Sequence, residues 1–160
     1  MKKLLLIFLT YLLVLTCSNS RTIKLPDKNL EIKNNIVYYK NEPYTGIVSG
    51  TDLNNNSARF KAEIKNGIVD GKVELLASDI DFIYNISDGK LNGEISVLDI
   101  IMLYKDDVIQ KCYSNASFAT QEMVNAFCKV TKENPDGESF PTTGKELQKR
   151  TLDIIKRLNN

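Results

Sequence analysis

The chain has no histidine and no tryptophan among its 160 residues. The first absence removes the commonest general base and metal ligand, and with it any serine–histidine or cysteine–histidine nucleophile. Nothing matches a glycine-rich phosphate-binding loop. Charge of one sign is lacking too: 21 Lys and Arg face 20 Asp and Glu, which leaves no electrostatic footprint for nucleic acid. Asp79, Asp81 and Asp99 read as solvated charges at loops and strand edges. Asp52, Asn54, Asn56 and Glu63 fall at positions 1, 3, 5 and 12 of a calcium loop. Ser57 stands where that loop needs glycine, only two of the four are carboxylates, and no helices flank them. The composition predicts a protein that is not an enzyme, with no catalytic residue, no cofactor and no bound metal.

What the chain does have is a repeat. Phe60, Ile64, Asn66-Gly67-Ile68-Val69-Asp70-Gly71, Val73 and Leu75-Leu76 recur 22 residues later. The second copy is Phe82, Ile86, Asp88-Gly89-Lys90-Leu91-Asn92-Gly93, Ile95 and Val97-Leu98. A period of this size marks stacked supersecondary units. Each unit reads as strand, turn, strand. Phe60, Ala62 and Ile64 alternate with Lys61, Glu63 and Lys65, the period-two signature of a half-buried strand. Asn66-Gly67 and Asp88-Gly89 suit the positive φ of tight hairpins, and Gly71 and Gly93 let the chain re-enter the sheet. A diverged copy upstream aligns Asn41-Glu42-Pro43-Tyr44-Thr45-Gly46 with residues 66–71, with Tyr39 at the place of Ile64. Asn54-Asn55-Asn56 accommodates its longer spacing. Downstream, Tyr104 and Val108 continue the 22-residue offset from Phe82 and Ile86, without a glycine turn, as a terminal cap would.

The 41–46 segment followed by two Asn/Asp-Gly-x-Val/Leu-Asp/Asn-Gly segments resembles the MORN-variant repeat family. Bacterial members of that family carry the label YwqK-type toxin–antitoxin antitoxins. The resemblance covers roughly residues 36–110, about half of the chain. Leu75-Leu76 and Val97-Leu98 stand where such repeats usually place aromatic pairs. The resemblance implies a meandering repeat sheet over 36–110 and, by the family label, an antitoxin role.

The N-terminus carries the second signal. Lys2-Lys3 precede twelve apolar-core residues, Leu4 to Leu15, too few to span a bilayer and suited to a signal segment over 1–16. Cys17 directly after this core resembles the lipobox of bacterial lipoproteins, although Thr16 departs from the small residue preferred there. The resemblance implies that Cys17 is acylated, and Ser18 after it implies outer-membrane sorting. The remaining reading is ordinary secretion with an incidental cysteine. Removing residues 1–16 leaves 144 of the 160 residues, one small domain. Residues 17–35 read as the acylated cysteine and a polar tether, with an edge strand as an alternative for its end.

Beyond the repeats, residues 111–160 form a helical part of the same domain. Phe118, Met123-Val124, Phe127 and Val130 fall at helical spacing over 117–132, and Leu147, Thr151, Ile154-Ile155 and Leu158 share a face over 144–158. Thr143 with Glu146 makes a capping box, and Asn134-Pro135-Asp136-Gly137 a turn between the two helices. The fold class expected is α+β: repeated antiparallel hairpins followed by two helices. In an oxidising compartment Cys112 and Cys128 pair as a disulfide, closing a loop worth about 3 kcal/mol. A metal pair or a redox thiol lacks the spacing and partners it would need. The functional expectation is a lipid-anchored cell-envelope protein, periplasmic or surface-exposed. Its repeat surface, with Tyr38, Tyr39 and Tyr44, would bind another protein or an envelope component. An immunity or antitoxin lipoprotein, or a purely structural envelope component, are the alternatives.

Overall fold

A computed structural model describes residues 21–52, 58–77, 81–97, 99–117, 119–133 and 143–160. The strands are β1 (Thr22–Lys24), β2 (Leu30–Lys33), β3 (Ile36–Tyr39), β4 (Glu42–Pro43), β5 (Gly46–Asp52) and β6 (Ala58–Lys65). They continue with β7 (Ile68–Leu76), β8 (Asp81–Ser87), β9 (Lys90–Leu91), β10 (Gly93–Val97), β11 (Ile100–Lys105) and β12 (Val108–Ser114). Two helices follow, α1 (Gln121–Glu133) and α2 (Gly144–Asn159). One nine-stranded sheet runs β1-β5-β6-β7-β8-β10-β11-β12, with β9 paired to β8, and β2-β3-β4 form a second sheet. Every pairing is antiparallel except β1 with β5. This is the expected α+β hairpin meander with two terminal helices.

Turn chemistry explains the meander. Asn66-Gly67 and Asp88-Gly89 both take positive φ at both positions, the geometry that matches strand twist. So do Asn34-Asn35, Lys40-Asn41 and Asp106-Asp107, without any glycine. Aligned on these turns, the third unit follows the second by 18 residues, not 22. Ile64, Ile86 and Tyr104 then occupy one buried position, two residues before each turn, and Val69, Leu91 and Ile109 another, two residues after it. The 22-residue offset had matched Ile86 to Val108, which is 57% exposed. The upstream copy is also shifted. Its turn is Lys40-Asn41, so Asn41 takes the place of Gly67, whereas Tyr44, Thr45 and Gly46 keep their match to Val69, Asp70 and Gly71; its strands β3 and β4 belong to the smaller sheet.

The residue before Gly46, Gly71 and Gly93 links successive units. Asn66 N–H donates to Thr45 Oγ1 at 2.9 Å, Asp88 N–H to Asp70 Oδ1 at 3.3 Å, and Asp106 N–H to Asn92 Oδ1 at 3.1 Å. A short polar side chain at this place satisfies a turn N–H that the hairpin ladder leaves unpaired. At the first bulge, Gly71 (φ +119) leaves room that a Cβ would take from the Glu63 carboxylate, which accepts Lys72 N–H at 3.1 Å.

Residues 21–35 are not a tether. β1 adds to the sheet edge beside β5, β2 pairs with β3, and Ile23 and Leu30 are buried in the common core. Their apolar groups are few but correctly spaced to enter it. The backbone holds this lead-in: Leu25 N–H donates to Ser49 O at 2.7 Å.

Helix α2 covers the inner face of the sheet with Leu147, Thr151, Leu152 and Ile155, against Phe60, Val73 and Tyr84. Thr143 caps it, its Oγ1 accepting Glu146 N–H at 3.2 Å, whereas the Glu146 carboxylate turns outward to Arg150 at 2.8 Å. The Asp107 carboxylate adds a second acceptor for this end, bonding both Gly144 N–H and Leu91 N–H at 2.7 Å. At the other end, Asn159 accepts Asp27 N–H at 2.8 Å and donates to Leu30 O at 3.1 Å. Helix α1 lies on the same face at the far edge. Cys128 bridges to Cys112 of β12, Cα atoms 6.5 Å apart, and Cys112 is the register partner of buried Met102. The buried face of α1 is Val124 and Cys128 with Phe127 half-buried; Met123 and Val130, expected there, are 56% and 58% exposed. Anchoring through Cys128 sets the rotation of the helix, and positions 123 and 130 fall beside the seam.

Candidate functional site

The three tyrosines expected to form a binding surface separate. Tyr44 is buried, its hydroxyl donating to the carbonyl oxygens of Arg21 and, at 3.1 Å, Ile47. Burial raises its pKa, partly offset by the Arg21 charge. It is a core residue that fixes the chain at Arg21, and this corrects its assignment to the surface. Tyr38 and Tyr39 are half-buried on β3. The Tyr39 ring sits 6.0 Å from that of Tyr44, with the Arg21 guanidinium 4.6 Å from its centroid.

An apolar strip lies elsewhere, on the outer face, opposite both helices. Register aligns Ile83 with Ser96, Ser96 with Ile101, and Ile101 with Tyr113 across β8, β10, β11 and β12. Leu103, two residues from Ile101 on the same face, is 37% exposed. Glu94 and Lys111 flank it as its register partners. The Tyr113 hydroxyl donates to Glu94 Oε1 at 2.6 Å, and Lys111 Nζ lies 5.3 Å from the ring centroid. The hydrogen bond to Glu94 holds the phenol protonated, raising its pKa. On the other half of the same face the strip gives way to charge: Lys61 and Lys72 both pair with Glu74, and Lys65 with Asp70.

The sequence signal for this strip is a lost alternation. β6 alternates apolar and charged residues throughout, whereas Ile100-Ile101-Met102-Leu103-Tyr104 runs apolar on both faces.

A concavity of about 140 Å³ opens between α2 and the inner face and is lined largely by Phe60, Leu75, Phe82, Tyr84 and Ile154. Thr151 Oγ1 is buried beside it without a hydrogen-bond partner among the described residues. Burial pushes the Tyr84 phenol up, with the Arg150 charge opposing.

Among the described residues no three metal-ligating side chains come together. Glu63 of the calcium-loop near-match is on β6, engaged with Lys72 N–H; residues 53–57 lie outside the described residues, as does Asp79. Asp81 and Asp99 are exposed. Cys17 and the signal segment, Leu98, Phe118 and the 134–137 turn also lie outside the described residues. Gly46, Gly67, Gly71, Gly89 and Gly93 all have positive φ. Among the described residues, no helix is long and apolar enough to cross a membrane. No family model, curated protein or solved structure matches the chain.

Proposed function

We propose that the chain is a non-enzymatic, lipid-anchored binding protein of a bacterial cell envelope, whose β-repeat face engages a protein or envelope partner. The supporting observation is the strip of Ile83, Ile101, Leu103 and Tyr113 on the outer face, opposite both helices. Apolar side chains rimmed by Glu94 and Lys111 have the composition of an interface core with a polar edge. The N-terminal resemblance to a lipobox supports attachment through Cys17.

Two substitutions, Ile101→Glu and Leu103→Glu, test the partner-binding half. Both side chains point away from the inner core, so the melting temperature of the double variant should stay within a few degrees of wild type. Capture of a partner from native membranes should be lost. Retention of the same partner would overturn the assignment of this face, and a captured toxin would convert the reading to immunity. For the anchor, Cys17→Ser should abolish labelling by a fatty-acid analogue; equal labelling of both chains would reject it.

A further inference from the structure

We infer that the corner formed by Arg21, Tyr39 and Lys40 rests on phospholipid headgroups. The inference depends on the Cys17 anchor proposed above. Ser18, Asn19 and Ser20 alone separate that cysteine from Arg21, and four extended peptide steps reach at most about 14 Å. Arg21 itself cannot pay out more chain, because its carbonyl oxygen is held by the buried Tyr44 hydroxyl and by Ile47 N–H at 2.9 Å. Its neighbours on β1 are paired into the sheet. A headgroup layer is about 5–7 Å deep, half the difference between the whole bilayer and its hydrocarbon core. A domain fastened within two or three layer depths of its acyl chains has this corner against the lipid surface.

The chemistry of the corner suits that surface. Arg21 and Lys40 are exposed, and both lie over one half-buried ring, the guanidinium at 4.6 Å and Lys40 Nζ at 5.7 Å from the Tyr39 centroid. Arg21 Nη2 also donates to the Tyr39 hydroxyl at 3.3 Å. Glu42, the register partner of Tyr39, is an acidic neighbour on β4, and Glu31, opposite Tyr38, is paired with Lys33. Cations draw toward anionic headgroup phosphates, and a tyrosine with an apolar body and polar tip favours the interfacial layer. Buried Tyr44 thus acquires a role: it sets the length of the leash.

The absence of tryptophan makes the test direct. Full-length acylated protein carrying Tyr39→Trp has one tryptophan, and a second variant, Val108→Trp, places it at β12, seven strand spacings from β1 and on the order of 30 Å away. Each is reconstituted into vesicles of brominated phosphatidylcholine with phosphatidylglycerol. Emission from Tyr39→Trp should shift to the blue and be quenched, and that from Val108→Trp should not. Adding Arg21→Gln and Lys40→Gln should reduce the quenching while the protein still floats with the vesicles. Floating protein with no quenching at position 39 overturns the inference and leaves the anchor standing. Shielding of position 39 in native membranes but not in protein-free vesicles overturns it in favour of a protein at that corner. Failure to float removes the anchor, and this inference with it.

Discussion

At Gly67 the missing side chain is required for two reasons. Its φ is +80, and a Cβ would collide with Ile36 Cγ2 and stand 3.0 Å from the Val37 carbonyl oxygen. That carbonyl and the Gly67 amide belong to the junction between the two sheets, where Val37 N–H donates to Gly67 O at 2.8 Å and Gly67 N–H to Tyr44 O at 2.7 Å. Gly89 has a similar φ of +74, yet the nearest atom to a Cβ there is Gln148 Nε2 at 3.9 Å. Valine at Gly89 should therefore cost about 1–2 kcal/mol of backbone strain. At Gly67 the added collision should raise the cost to about 3 kcal/mol or more, and urea midpoints of the two variants measure the difference. Asp107 is the other residue whose identity matters at this scale, since one carboxylate oxygen serves both Leu91 N–H and Gly144 N–H. Asp107→Ala should destabilise by about 2–4 kcal/mol, leaving two amide donors unpaired. Tyr104 gives a pH signature. Burial, with Asp107 adding to it, pushes its phenol up to about 12, against about 10 in the unfolded chain. The folded state thus keeps a proton that the unfolded state releases between these values. The stability contributed by this group is complete below pH 10 and is lost as pH climbs toward 12. Denaturant titrations from pH 9 to 11.5, with phenolate absorbance as the monitor, should show stability falling; a flat profile would contradict the burial.

Among the elements, α1 and α2 are held by different means. α2 is packed along one stripe and tied at both ends, by Asp107 and Thr143 at its start and by Asn159 at its end. α1 has 13 residues, buries Val124 and Cys128, and is covalently joined to β12. An isolated helix of that length is marginal in water. Reduction should release α1 while the sheet and α2 persist, so amide exchange over 121–133 should accelerate and exchange in β6 and β7 should not. Cys112→Ser with Cys128→Ser should lower global stability by about 3 kcal/mol or less, because the open chain regains loop entropy. Simultaneous melting of sheet and helix on reduction would instead make the bridge a global keystone.

For the whole molecule, one core cluster joins both sheets and α2, reaching from Ile23 and Leu30 through Phe60 and Ile86 to Met102 and Ile109. Stacked repeats with independent cores could unfold unit by unit; here α2 crosses several units and ties them together. A single cooperative transition is expected by circular dichroism and by tyrosine fluorescence. Thr45→Ala, Asp70→Ala and Asn92→Ala, each removing one inter-unit hydrogen bond, should each lower that one transition by about 0.5–1.5 kcal/mol. Separate transitions in any of the three would show that the units are energetically distinct.

Local chemistry was legible in the sequence wherever one residue type answers one geometric demand. Asn66-Gly67 and Asp88-Gly89 declared their turns, the alternation of 58–65 declared a one-sided strand, and Thr143 declared the start of α2. Where another residue can meet the same demand, the text of the chain misled. Asp106-Asp107 and Lys40-Asn41 adopt the glycine-type turn without glycine, so the turn of the first unit falls one residue earlier than its Tyr44-Thr45-Gly46 match implies, and the third unit falls four residues earlier than the 22-residue offset. The candidate surface was only partly legible, because a tyrosine has the same appearance in sequence whether its hydroxyl meets water or, like that of Tyr44, a buried carbonyl.

The hairpins at Asn66-Gly67 and Asp88-Gly89, the cysteine pair and the helical stripe of α2 follow from the sequence alone, since each depends on near neighbours or on φ preferences of single residues. The tertiary structure decided which side of β11 became surface, how α1 rotates about Cys128, and that residues 21–35 join the core. Those outcomes depend on partners far away in the chain: β1 on β5, Leu30 on Asn159, and the inner face of the sheet on a helix that begins sixty residues beyond Tyr84. Burial is a property of the assembled layers, and no local pattern of apolar residues states which layer will arrive to cover it.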